Sequence, residues 1–253
     1  MSPRAAKYGA VALAAARRAL AERGAVVGRV VFLGVILFVF SRIWGLLGAR
    51  GALAGSAQHD LVWYLAVTEW CVLSLPPVFL AIEADVRSGD VACRLVRPIS
   101  YVGAQLAEAL GETGLRLAVL GPAAALFAFA IAGGPPSDPR GLALAVPLGL
   151  LANALAALSL VAIGLSAFWI VDTSPVFWIW QKLLFVLGGL LLPLDLYPEW
   201  LRAAARLSPF PAMVFGPGRH ALGFAPREAL VTALAGALLA WLARRARARL
   251  TVN

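Results

Sequence analysis

The 253 residues are 61% hydrophobic and only 14% charged, with a mean hydropathy of +0.84. A soluble domain averages about 45–50% apolar and about 25% charged residues, because a surface facing water is built from polar side chains. This balance excludes a soluble globular domain, a disordered chain, a disulfide scaffold and a coiled coil. The long unbroken apolar runs also argue against a transmembrane barrel, whose short strands alternate polar and apolar residues. The class that remains is an all-α, polytopic transmembrane helical bundle, expected as one membrane domain over 1–253.

The formal net charge is +9, from 22 Lys+Arg against 13 Asp+Glu, and every basic residue except Lys7 and Lys182 is Arg. In a chain this apolar, such a balance points to anionic lipid headgroups and not to nucleic acid. Cys71 and Cys93 fall in different environments, so no disulfide is expected. No signal peptide is read, because the first apolar run is as long as a full span.

A membrane helix needs roughly 20 apolar residues at about 1.5 Å each. In chain order, residues 1–24 read as a helix lying on the membrane, with Arg4, Lys7, Arg18 and Glu22 on one face and Leu13, Ala16 and Leu20 on the other. Span one covers 26–47. Span two covers 61–82, with Pro76 and Pro77 kinking its far end. Span three covers 106–132, and span four covers 142–170 with a bend at Pro147. Asp172-Thr173-Ser174-Pro175 has the form of a helix start, a capping side chain followed by Pro in the first turn. It opens span five, 176–194. Residues 195–226 form an outer re-entrant or interfacial segment, in which 198–207, with Trp200, Arg202 and Arg206, reads as a short helix. Span six, 228–242, is short and is extended by snorkelling arginines.

Six spans place the basic residues before span one, those at Arg87, Arg94 and Arg97, and those from Arg244 to Arg249 on one side. The positive-inside rule makes that side cytoplasmic. The expected location is therefore the cell membrane, multi-pass, with both termini in the cytoplasm.

Chemistry of its own is sparse. There is no Gly-Lys-Ser/Thr phosphate-binding loop, since neither lysine follows a glycine, so any ATP is used on another chain. No His-Glu-x-x-His zinc motif occurs, and His59 and His220 read as polar residues on the outer side. Neither a catalytic nor a metal-ligating residue is assigned. Gly164-Leu165-Ser166-Ala167 faintly resembles an intramembrane serine-protease motif, with His220 as a conceivable base. Phe168 stands where a second glycine is usual, however, and a serine without a base is not a nucleophile.

Charges inside spans are costly and mark pathway or packing positions. Glu69 lies near the middle of span two, where Arg42 of span one is a possible partner. Glu108, Glu112 and Arg116 recur every four residues along span three and make one stripe with an internal ion pair. These carboxylates also admit an autonomous secondary transporter or channel as an alternative function.

The segment 82–102, IEADVRSGDVACRLVRPISYV, is too polar for the membrane. Leu95, Pro98 and Ile99 give it an apolar side. Glu83, Asp85, Arg87, Asp90, Arg94 and Arg97 give it a charged one, and Gly89 and Pro98 punctuate it. Such a piece suits docking onto a soluble partner. The order Glu83, Gly89 and the 95–98 stretch resembles the coupling loop of type-two ABC exporter permeases. Residues 172–211 resemble the fifth span and short outer helices of the same superfamily, in particular its small bacterial inner-membrane permeases without a fused ATPase. The resemblance implies an exporter permease that pairs with an identical or homologous second permease, surrounded by membrane lipids. A separate ABC ATPase subunit would carry the ATP and Mg, and this chain would hold no cofactor. It further implies coupling through Glu83, Asp85, Arg87, Gly89, Asp90, Arg94, Arg97 and Pro98.

Overall fold

The structure is a computed structural model that describes residues 3–51, 58–96 and 99–221. The expected sixth span, the basic residues after it, and Arg97 and Pro98 lie outside the described residues. Among the described residues every regular element is helical. Four stretches are long and apolar enough to cross a bilayer: Arg23–Ala49, Gln58–Ser88, Tyr101–Ala132 and Pro139–Phe168. They coincide with expected spans one to four.

Helix α1 is Pro3–Ala21 and α2 is Arg23–Ala49, with a break at Glu22 between them. One stripe of α2 is buried, Leu33, Leu37, Ser41 and Trp44 at helical spacing, while Val31, Phe38, Val39 and Leu46 stay exposed. The second span is two helices, α3 (Gln58–Leu73) and α4 (Val78–Ser88). Pro76 and Pro77 carry no N–H, so the carbonyls of Val72 and Leu73 lose their helical donors. The Val72 carbonyl instead takes the Leu75 N–H at 3.2 Å.

Helix α5 (Asp90–Leu95) precedes α6 (Tyr101–Ala132). Ser100 caps α6, its hydroxyl accepting from the Gly103 N–H, and Gly133 ends it in the left-handed region at φ 79°. At 1.5 Å per residue α6 runs about 48 Å, well beyond the roughly 30 Å of a hydrocarbon core. Its N-terminal half carries α1. A Cβ on Gly111 would lie 2.0 Å from the Ala12 carbonyl oxygen, and one on Gly103 would lie 2.9 Å from the Tyr8 ring. The small residues Ala15 and Ala19 form the buried side of α1, while Leu13 and Leu20 remain exposed. Helix α1 is therefore docked on α6 through its alanines.

Helix α7 (Pro139–Leu165) starts as its sequence dictates: Asp138 accepts from the Arg140 N–H at 3.0 Å and Pro139 sits in the first turn. A short 3-10 turn, Ser166–Phe168, follows. Helix α8 is Ser174–Leu187, with Asp172 accepting from the Ser174 N–H at 2.9 Å. That bond holds the Asp172 carboxyl below the usual carboxylate range.

The fifth span differs from expectation. Helix α8 has 14 residues, about 21 Å at helical rise, and does not reach residue 194. Gly189 turns the chain out at φ 67°. Two α3 hydroxyls satisfy the carbonyls so released: Tyr64 donates to Gly189, and Thr68 donates to Leu190 at 2.9 Å. Non-helical backbone within a bundle is tolerated where protein groups pair it.

Beyond a second 3-10 turn, Leu194–Leu196, come α9 (Glu199–Arg206), α10 (Phe210–Met213) and α11 (Phe215–Ala221). Helix α9 matches the expected short helix and leaves Trp200 exposed. Helices α10 and α11 turn inward, and α11 packs on α3 and α7.

The apolar core falls into clusters along the bundle. Helices α2, α3 and α6 meet around Leu37, Leu65 and Leu120. Helices α4, α6 and α7 meet around Ile82, Ala109 and Leu160. Helices α7, α8 and α10 meet around Leu155, Leu184 and Met213.

Candidate functional site

The segment 83–96 is built around two buried carboxylates. Glu83 and Asp85 are two residues apart on α4, so they leave the helix about 200° apart and reach opposite neighbours. Glu83 turns to the link between α7 and α8. It accepts from the Thr173 N–H at 2.9 Å and from the Thr173 hydroxyl, and pairs with Arg87 at 2.9 Å. Asp85 turns to α6. It accepts from the Tyr101 hydroxyl at 2.9 Å and from the Gln105 amide at 3.0 Å, and pairs with Arg94 at 3.0 Å.

Arg87 is also committed, donating from Nε at 2.8 Å and from Nη2 to the Val171 carbonyl. Gly89 joins α4 to α5 at φ 78°, with nothing within 4 Å of where a Cβ would stand. Its glycine is required by the left-handed backbone and not by crowding.

Of the charged residues expected to meet a partner, Glu83, Asp85, Arg87 and Arg94 thus hold the segment in place. Asp90 is exposed. The side chains that stand out are apolar. Leu95 is 62% and Val96 85% exposed, and across the Glu83–Thr173 contact Trp169 is 84% and Val171 81% exposed. The patch at 168–171 was not singled out from sequence, because Phe168 to Val171 reads there as the end of an apolar span.

Residues 51–247 match a family model described as ABC-2 family transporter protein. The chain belongs to this family. It is thus a membrane-embedded component of an ABC-type transporter. No curated protein and no solved structure matches it.

The intramembrane charges of this permease separate into three sets. Arg42 does not meet Glu69, contrary to the pairing expected: Arg42 is exposed, with its guanidinium 5.0 Å from the Phe38 ring centroid, while Glu69 is buried on α3. The stripe on α6 is consumed in packing. Glu108 pairs with Arg18 of α1 at 3.3 Å. Arg116 pairs with Glu112 and donates at 3.0 Å to the Leu75 carbonyl, at the proline break in the second span. The third set is Lys182, exposed on α8 between the rings of Trp178 and Phe185 at 5.6 and 5.7 Å. Its position in an apolar run was the available signal in the sequence.

An apolar cavity of about 300 Å³ lies between α3, α6 and α7, lined by Trp63, Trp70, Leu117, Pro122 and Val146 among others. Both indole N–H groups are already bonded, Trp70 to the Leu117 carbonyl at 2.8 Å and Trp63 to the Gly134 carbonyl at 3.2 Å.

The histidine expectation changes, and the serine one is kept. His220 is fully buried on α11 and does not stand in a polar loop. Ser166 donates to the Ile163 carbonyl at 2.6 Å. Gly164 beside it packs on Phe79 and Ile82, whereas Gly218 of α11 packs on Tyr64 and Thr68. These contacts are separated by roughly 15 Å or more of helical rise along the second span, which places Ser166 and His220 at different levels and removes the protease reading.

Proposed function

We propose that this chain is the membrane subunit of an ATP-driven exporter, working as a permease dimer on separate ATPase subunits that carry the ATP and Mg. The end bearing α1, α4 and α5 faces the cytoplasm in this reading, as the positive-inside rule places Arg17, Arg18, Arg87 and Arg94. One observation carries the coupling assignment. The 83–96 segment is fixed on two sides by buried carboxylates, yet presents Leu95 and Val96 outward. Exposed apolar side chains on a rigid support suit a protein partner better than a solvated loop. Trp169 and Val171 extend the surface.

Movement of a docked ATPase would be delivered to α4. Glu83 passes it to the start of α8, and Asp85 passes it to α6. The exposed faces of α2 and α8 meet the second subunit only at their edges in this reading and border the path between the two subunits, since each leaves an apolar stripe unpartnered within one chain. The α6 carboxylates are engaged by Arg18 and Arg116, which leaves Glu69 alone of the carboxylates an autonomous transporter was expected to use.

The test is co-purification of an ABC ATPase subunit co-expressed with this chain. Wild-type permease in detergent retains it. Trp169→Ala combined with Val96→Ser weakens retention at least tenfold while leaving membrane insertion unchanged. Equal retention by that variant would move the contact elsewhere.

A further inference from the structure

Lys182 is the one charged residue of α8, and it stands at the centre of that helix's unpartnered face. Pro175, Trp178, Ile179 and Val186 share the face and are exposed with it. Eight residues beyond Ser174, it lies about 12 Å along the helix from its start. A lysine that only served lipid would extend toward the headgroups. Here the ammonium is held on the helix's own flank, between a ring one turn before it and a ring one turn after it. Among the described residues no carboxylate pairs with it.

A desolvated cation facing acyl chains is costly, and intramembrane charges accordingly face a bundle interior or a watered path. Arg42, an exposed cation inside α2 and not at its ends, is arranged alike, over the Phe38 ring on the exposed side of α2. The two sit at different depths, Arg42 seven residues from the far end of its helix, about 10 Å. The unpartnered faces of both helices thus combine aromatic and aliphatic surface with positive charge only.

We infer that Lys182 is the charge-selecting position of the translocation path and that the exported molecule is an amphipathic anion. Its apolar body would slide along Trp178, Ile179 and Val186 while its acidic group meets the ammonium, with Arg42 as a second station nearer the other side. This rests on the dimeric permease reading, in which α8 borders the path.

The electrostatics can be read without knowing the substrate. In a Cys71→Ala, Cys93→Ser background, single cysteines are placed at Ile179 and Val186 in proteoliposomes of the permease with its ATPase. Modification rates are measured with anionic methanethiosulfonate ethylsulfonate and cationic methanethiosulfonate ethyltrimethylammonium, each normalised to a free thiol in water. The anion-to-cation ratio is expected to exceed tenfold with Lys182. It should approach one in Lys182→Gln, fall below one in Lys182→Glu and be kept in Lys182→Arg. Cysteines inert to both reagents would show the face covered by lipid or protein and overturn the inference, as would a ratio insensitive to residue 182. Failure of the ATPase to co-purify would strike the permease reading instead, a separate result from the labelling ratio.

Discussion

Replacing Glu83 by Ala removes the acceptor shared by the N–H and the hydroxyl of Thr173. Thr173 is fully buried, so neither donor can turn to water. An orphaned buried donor costs about 1–3 kcal/mol, and two together set a local penalty of about 2–6 kcal/mol. The Glu83–Arg87 pair adds little, since Arg87 is half exposed and screened. A bundle of four long helices should survive this, while the 166–173 link comes free of α4. A double-mutant cycle of Glu83→Ala and Thr173→Val, unfolded with sodium dodecyl sulfate in mixed micelles, isolates the hydroxyl bond. Its expected coupling is about 1.5–3 kcal/mol, the range for a hydrogen bond to a charged group. In parallel, Glu83→Ala with Arg87→Ala is expected to insert and dimerise normally but to bind the ATPase at least tenfold more weakly, equivalent to about 1.4 kcal/mol. Additive single effects, within about 0.5 kcal/mol, together with unchanged ATPase binding would refute both the clamp and its role.

Gly89→Val forces a β-branched residue to φ 78° at about 1–2 kcal/mol or more, so ATPase retention should fall with insertion intact. Gly89→Asn, whose side chain tolerates that region, should largely keep it. Arg116→Met strands Glu112 and the Leu75 carbonyl and should destabilise the bundle by about 3–5 kcal/mol, with most of the loss recovered by adding Glu112→Leu. Gly111→Leu drives a side chain into the Ala12 backbone, so trypsin should cut at Arg17 and Arg18 several-fold faster as α1 lifts from α6. A thiol introduced at Ser137 should react with an impermeant maleimide added outside intact cells, whereas one at Leu95 should not.

Spans one to four were legible because each is a long apolar run closed by punctuation that acts locally. Pro76 and Pro77 withhold their own N–H groups, Asp138 and Asp172 cap the residues two places on, and Gly133 stops α6 by its own left-handed turn. The end of α8 was not legible. Leu187 through Leu194 stays apolar apart from Gly188, Gly189 and Pro193, and although Gly189 supplies the turn, the released carbonyls are satisfied by a pair of hydroxyls on α3, Tyr64 and Thr68, more than a hundred positions away. The roles of Glu83 and Asp85 were hidden in the same way. Their spacing on α4 was visible, but an acidic residue in a polar loop looks alike whether it meets solvent or a distant Thr173 or Gln105. Lys182 carried a signal, a lone cation in an apolar helix, which only its exposure on the finished bundle distinguishes from a snorkelling one.

The proline break at 74–77 has a mechanical meaning. Above it, α3 is tied by Tyr64 and Thr68 to the chain leaving α8 and is packed by α11. Below it, α4 is joined to α6 through Asp85 and to the foot of α8 through Glu83. A single membrane crossing is thereby divided into a stationary post and a crossbar, with the joint itself bolted to α6 by the Arg116 bond to Leu75. Torque applied to the crossbar would swing the near ends of α6 and α8 together while the far end of α3 stays still.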